Sequence, residues 1–197
     1  MEISFVSDGD NTILTETFEA ENENSLELQQ EGWQAILNHF KKYAEANGKF
    51  KLHFSTTINA NAKHVYNTMI SDSTYREWTS IFNPTSRFEG SWNKGSKIVF
   101  IGTDKDGNIG GMVSRIKENI PESFISIEHL GLIQNGKEII SGPEVEDWAG
   151  ILENYSFSEK DGKTMIGVDI DTNADFKSYF SETWPKALEK LKEICEE

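Results

Sequence analysis

Two stretches of this chain, about one domain length apart, have the same order of local features. Residues 8–14 (DGDNTIL) precede residues 32–41 (GWQAILNHFK), and residues 161–166 (DGKTMI) precede residues 183–192 (TWPKALEKLK). Each pair combines an Asp-Gly turn, an extended strand and a helix that has a tryptophan near its start. The repetition predicts one complete domain, residues 49–197, preceded by part of a second copy, residues 1–48, with two strands and a helix.

The order of elements in residues 49–197 predicts an α+β fold. A strand at 50–58 and two short helices precede a run of antiparallel strands between residues 84 and 171, of which one is expected at 145–158. A long apolar stripe from Phe176 to Ile194 marks a C-terminal helix, which Pro185 should kink or begin. This order is typical of a curved antiparallel sheet around a long helix, with a cavity between them.

The net charge of −14 argues against nucleic acid and anionic membranes as main partners, because both need clustered Lys or Arg. No apolar run approaches the roughly 20 residues of a membrane span. The N-terminus lacks a basic flank and a signal core, so a cytoplasmic location is expected. Cys195 has no partner for an intrachain disulfide and is expected to be a small apolar residue of the last helix rather than a nucleophile.

No motif in the sequence indicates a metal, a cofactor or covalent catalysis. The four histidines, at 39, 53, 64 and 129, form neither a HExxH motif nor a close pair, and there is no phosphate-binding loop and no GxSxG. Strand alternation groups His129 with Ile125 and Ile127 on one face. His129 could therefore touch a ligand, but a surface histidine on an edge strand is the favoured interpretation.

The carboxylates give equally weak signals. Glu144, Glu146 and Asp147 precede Trp148, and Glu77 precedes Trp78. A buried member of such a group could act as a general acid or base. A solvated acidic loop is the favoured interpretation.

Three stretches carry a resemblance to a known superfamily. They are residues 54–66 (FSTTINANAKHVY), 75–78 (YREW) and 184–191 (WPKALEKL). On these the chain resembles the START-like superfamily, also called SRPBCC, which has the helix-grip fold. The branch it is most similar to is that of the homologues of the heat-shock chaperone ATPase activator. The resemblance covers residues 49–197.

The resemblance implies a cavity between the sheet and the C-terminal helix, and it directs the choice of site residues. For most aromatic residues, core packing is the competing interpretation. The predicted ligand-binding residues are Trp78, Phe82, Phe100, Met112, Ile127, His129, Trp148, Phe180 and Trp184.

The expected function is the binding of an apolar small molecule or lipid-like ligand. The alternatives are a chaperone-cofactor or interaction protein that binds a chaperone, and, third, an enzyme acting in the cavity. The apolar stripe of the N-terminal helix (Trp33, Ile36, Leu37, Phe40) needs a cover. Tight docking within the chain or a homodimer through residues 1–48 would supply it.

Overall fold

The structure is a computed structural model that describes residues 1–9, 11–46, 48, 50–146 and 148–197. The chain divides into two compact units, Met1–Ala46 and Asn47–Glu197. Several predicted features lie outside the described residues: Asp10 of the first Asp-Gly turn, Asp147 of the acidic loop, and residues 47 and 49 of the proposed boundary.

The first unit consists of a hairpin and a helix. Strands β1 (Glu2–Asp8) and β2 (Asn11–Thr17) pair antiparallel, with Phe5 opposite Leu14. Helix α1 spans Leu26–Ala46, and the ring of Trp33, about two turns into the helix, lies 5.0 Å from the ring of Phe18, measured between ring centroids. The alternation and the helical spacing in the sequence predicted these elements. That they are part of a repeated domain stays a prediction.

Among the residues that the structure describes, the second unit is an antiparallel sheet with three α-helices and one short 3-10 helix. The strand order is β3-β10-β9-β7-β6-β5-β4, and β8 pairs with β7. In chain order the elements are β3 (Phe50–Ile58), α2 (Ala62–Ile70), α3 (Asp72–Thr79), β4 (Arg87–Gly90), β5 (Lys97–Thr103), β6 (Ile109–Ile120), β7 (Phe124–Gln134), β8 (Lys137–Ile139), a 3-10 helix (Pro143–Val145), β9 (Leu152–Lys160), β10 (Lys163–Thr172) and α4 (Ala174–Glu196). The predicted α+β fold, a curved antiparallel sheet with a C-terminal helix, is confirmed.

The main core lies between one face of the sheet and the helices. The C-terminal half of α4 buries Trp184, Ala187, Leu188 and Leu191 against this core. Its stripe recurs at helical spacing, as the sequence predicted. Pro185 lies inside the helix, which already begins at Ala174, so the expectation that Pro185 marks its first turn is wrong.

The predicted strand at residues 145–158 is wrong in its first half. A 3-10 helix and a turn occupy that part, with Ala149 N donating to Val145 O at 2.8 Å. Gly150 has a φ of +84°, a left-handed value that ends any extended run. The strand β9 therefore begins at Leu152, and the preceding turn places Trp148 elsewhere than in the sheet.

Candidate functional site

A cavity of about 680 Å³ lies within the second unit, walled by α3, by strands β5, β6, β7, β9 and β10, and by α4. Phe176 and Tyr179 in the N-terminal half of α4 are partly exposed and line the cavity, whereas the helix beyond Trp184 is packed. All the residues predicted from the sequence line it: Trp78, Phe82, Phe100, Met112, Ile127, His129, Trp148, Phe180 and Trp184. Whether a ligand binds them stays a prediction.

The inner wall is a cluster of touching aromatic rings around Trp184. The ring of Trp184 lies 5.0 Å from Phe82, 6.2 Å from Trp78 and 6.0 Å from Tyr155, measured between centroids. Trp78 is fixed further because its Nε1 donates to the carbonyl of Met69 at 3.0 Å. Trp78 and Trp184 are buried in the core and also line the cavity. Core packing therefore describes both residues, and ligand binding by them stays a prediction.

A second aromatic group lies at the N-terminal half of α4. Phe176 stacks edge-on against Trp148 at 4.8 Å and lies 6.1 Å from Phe180. The hydroxyl of Tyr179 donates to the carbonyl of Phe82 at 3.3 Å and joins the helix to the α3–β4 connection. These rings line the cavity along the N-terminal half of α4, where Phe176 and Tyr179 are partly exposed.

His129 is the centre of a polar group on the cavity wall. It is only 7 % exposed, its Nδ1 lies 2.9 Å from Ser114 Oγ, and its Nε2 lies 3.7 Å from Glu153 Oε2. Tyr155 donates its hydroxyl hydrogen bond to the other carboxylate oxygen of Glu153. The favoured interpretation of His129 as a surface residue on an edge strand is wrong, because β7 lies inside the sheet, between β6 and β9.

In this polar group, Ser114 orients His129, while Glu153 faces the cavity. Ser114 is fully buried and does not line the cavity, which leaves its hydroxyl the role of holding the imidazole. When Ser114 donates to Nδ1, the proton of the neutral ring is on Nε2 and is directed at Glu153.

Two tyrosines of the cavity wall stay protonated at neutral pH. Burial raises the pKa of Tyr75 and of Tyr155 well above the usual phenol value, and the nearby charge of Glu153 raises both further. Their hydroxyl groups therefore serve as hydrogen-bond donors.

Sequence reasoning missed Glu153 and Tyr155 as part of a polar group. The available signal was strand alternation, because Glu153, Tyr155 and Phe157 share the inward face of β9. A glutamate in such a series is unusual, since Glu is almost never fully buried unless it is paired. The enzyme hypothesis required a charged group facing inward, and Glu153 meets that condition without showing a reaction.

The other chemical candidates lie outside the cavity. Glu144 and Glu146 are exposed, in agreement with a solvated loop, and Glu77 forms an ion pair with Lys190 at 3.1 Å. Cys195 is packed in the core as expected, and burial raises the pKa of its thiol. Within the described ranges, no three His, Cys, Asp or Glu side chains are grouped so that they could hold a metal ion.

Comparison with known proteins gives similarity at the level of structure. No protein-family model matches the chain, and no curated protein matches it in sequence. The Aha1 dimer from Colwellia psychrerythraea matches at 18 % identity with a TM-score of 0.56, over 75 % of this chain and 96 % of that one. The chain has the helix-grip fold of Aha1.

Two further structures support the helix-grip assignment. A protein from Nitrosomonas europaea matches at 14 % identity with a TM-score of 0.57, over 73 % of this chain and 92 % of that one. A protein from Rhizobium loti matches at 13 % identity with a TM-score of 0.57, over 74 % and 96 %. The resemblance predicted from the sequence is therefore confirmed as a resemblance of fold. In the part of the chain that the structure describes, no helix has the length and apolar character needed to cross a membrane.

Proposed function

We propose that the helix-grip cavity binds an apolar small molecule or a lipid-like ligand. The observation that carries the proposal is a void of about 680 Å³ with mainly aromatic and aliphatic walls. Ligand sites usually measure roughly 300–1,000 Å³ and have this kind of lining. Protein interiors are otherwise close-packed, so an unfilled space of this size needs an occupant or water.

Titration with N-phenyl-1-naphthylamine, a neutral dye that fluoresces in apolar surroundings, tests the proposal. Met112 lines the cavity and Met165 lies exposed on β10, outside it. Met112→Trp should fill part of the cavity and weaken dye binding at least tenfold, while Met165→Trp, the matched control, should leave it unchanged. Absence of saturable dye binding to the wild-type protein, or equal loss in both variants, would contradict the proposal.

A chaperone-cofactor role of the ATPase-activator type is the second candidate. It is supported by the sequence resemblance in residues 54–66, 75–78 and 184–191 and by the fold shared with Aha1. The test uses the immobilised full chain to capture a purified heat-shock chaperone ATPase. The ATPase rate of the chaperone is then measured with and without the full chain. Capture together with a changed ATPase rate supports this role. If the chaperone is not captured and its ATPase rate does not change, the role is ruled out.

We also propose that residues 1–48 are a partial copy of the domain and form a homodimer contact. The order β1-β2-α1 is the order β9-β10-α4, and both hairpin turns contain a glycine with positive φ, at Gly9 and Gly162. Phe5, Ile36 and Phe40 are exposed in this unit. A two-stranded sheet has two open edges and is marginal alone, so a second copy of the same hairpin is a suitable partner.

A further inference from the structure

The charges on the cavity wall all have one sign. Among the described residues that line the cavity, the acidic side chains are Asp104, Glu153 and Asp171, and there is neither a lysine nor an arginine. A cavity made to hold an anion would be expected to present cationic side chains to it. The charge distribution therefore restricts which ligands can be accepted.

Two of the three carboxylates are already engaged by the protein. Asp171 accepts the backbone N–H of Leu152 at 3.2 Å and lies 3.9 Å from Lys51 Nζ. Asp104 accepts the backbone N–H of Asn108 at 2.8 Å in a tight turn. These contacts fix Asp171 and Asp104 as structural acceptors at the edge of the cavity.

Glu153 differs from these two residues because, among the described residues, only one of its carboxylate oxygens accepts a hydrogen bond, from the Tyr155 hydroxyl. Its side chain is 23 % exposed, and within the described part of the chain its only ion-pair partner is His129, at 3.7 Å. That distance exceeds a hydrogen bond, so the Glu153 oxygen facing His129 can still accept one. The buried His129 faces Glu153 through Nε2, so its imidazole is directed at Glu153 rather than at a ligand anion.

We propose that this cavity takes amphiphiles with an apolar body and a hydrogen-bond-donating head group, an amine or a hydroxyl, which Glu153 accepts, and that it excludes fatty acids and other anions. The inference rests on the proposed ligand-binding function and specifies its ligand class. A head group with an N–H or O–H donates a hydrogen bond to the free oxygen of the half-buried Glu153 carboxylate. An ammonium head group also compensates the negative charge of that carboxylate. A carboxylate ligand would be buried beside like charges with no cation to compensate it.

Three ligands with the same alkyl chain test the inference: decylamine, 1-decanol and decanoate, each used to displace N-phenyl-1-naphthylamine from the full chain. The measurements are made near physiological ionic strength, about 0.15 M, so that the overall negative charge of the protein is screened. For the wild-type protein we expect decylamine and 1-decanol to displace the dye, and decanoate to be at least tenfold weaker than either.

The substitution Glu153→Gln keeps the shape and removes the charge. It should lower the affinity for decylamine about tenfold relative to 1-decanol, a loss of one charge-assisted contact, and bring decanoate closer to 1-decanol. Glu182→Gln is the matched control, because Glu182 is exposed on α4 and does not line the cavity. It should leave the order of the three ligands unchanged.

The outcomes separate this inference from the proposed function. Decanoate binding as tightly as decylamine, displacement by none of the three ligands despite dye binding, or equal effects of E153Q and E182Q would overturn the ligand class alone. Failure of the dye itself to bind the wild-type protein would overturn the proposed function. The three-ligand comparison on the wild-type protein decides the question even if E153Q does not fold.

Discussion

Gly111 is a residue at which the backbone of the sheet leaves no room for a side chain. It has a φ of +152°, and a Cβ atom at this position would lie 2.0 Å from the carbonyl oxygen of Phe100 on the neighbouring strand. The adjacent Gly110 has ordinary space, with its nearest neighbour, the Ile133 carbonyl oxygen, at 3.6 Å. The two glycines are adjacent in the sequence, and only the structure shows which of them requires glycine.

We predict that Gly111→Ala lowers the free energy of unfolding by about 3 kcal/mol or more, because backbone strain and overpacking add. Gly110→Ala in the same strand should cost less than about 1 kcal/mol. Urea unfolding of both variants measures the difference. Equal stabilities would show that β5 and β6 separate easily at this point.

The buried tyrosines make stability depend on alkaline pH. Because burial raises the folded-state pKa of Tyr75 and Tyr155 above the unfolded value of about 10, their protonated forms stabilise the fold fully below pH 10. This stabilisation is lost as the pH rises from about 10 towards the folded-state pKa.

Tyr155→Phe should therefore reduce the dependence of the unfolding free energy on pH above pH 10 by about 1.4 kcal/mol per pH unit. Urea unfolding between pH 8 and 11.5 gives this slope for the variant and the wild type. The exposed Tyr43 is the control position. A slope unchanged by Tyr155→Phe, or changed equally by Tyr43→Phe, would contradict the role assigned to burial.

The two halves of helix α4 are packed differently. Its C-terminal half, with Leu191 at 1 % exposure, completes the core, whereas Phe176 in the N-terminal half is 39 % exposed and borders the cavity. The helical stripe in the sequence is continuous across both halves. The change from packed to open along the helix could be seen only in three dimensions.

We predict that Leu191→Ala lowers the free energy of unfolding by about 2–5 kcal/mol, since it leaves a hole in the core. Phe176→Ala should cost only about 1 kcal/mol because the side chain is partly solvated and is lost from a cavity edge. Thermal unfolding followed by circular dichroism compares the two. A larger loss for Phe176→Ala would mean that the aromatic group around Trp148 holds the helix in place.

At the scale of the whole molecule, the first unit exposes several large apolar side chains on both its hairpin and its helix. Phe40, 48 % exposed, and Ile36 lie one turn apart on one side of α1, whereas the exposed, polar His39 lies about 100° away from Phe40 around the helix. If this side is a homodimer contact, a charge should disrupt it at Phe40 and be tolerated at His39.

Light scattering during size-exclusion chromatography is expected to give the mass of a dimer for the wild type and for His39→Glu. Phe40→Glu, and a chain from which residues 1–48 are deleted, should give the mass of a monomer. A monomeric wild type would contradict the homodimer. In that case, a loss of stability on deletion would indicate docking within the chain.

The order of strands and helices could be read from the sequence because local patterns carry it. The period-2 alternation of residues 50–58, the capping residue Asn61 before α2, and the 3.6-residue stripe of α4 are each determined by neighbours a few residues apart. The resemblance then supplied the cavity and the residues that line it. The error at residues 145–151 arose because alternation alone cannot show that Gly150 adopts a left-handed conformation.

The tertiary structure alone decided the chemistry of the cavity. Ser114, His129 and Glu153 lie on three different strands, and only the register of β6, β7 and β9 brings them together. A residue's burial and its partners are properties of the assembled sheet, so the sequence placed His129 correctly on the face of Ile127 but could not tell that this face was the inner one. The sequence thus determined the elements, whereas the charge presented to a ligand depends on pairing between residues far apart in the chain.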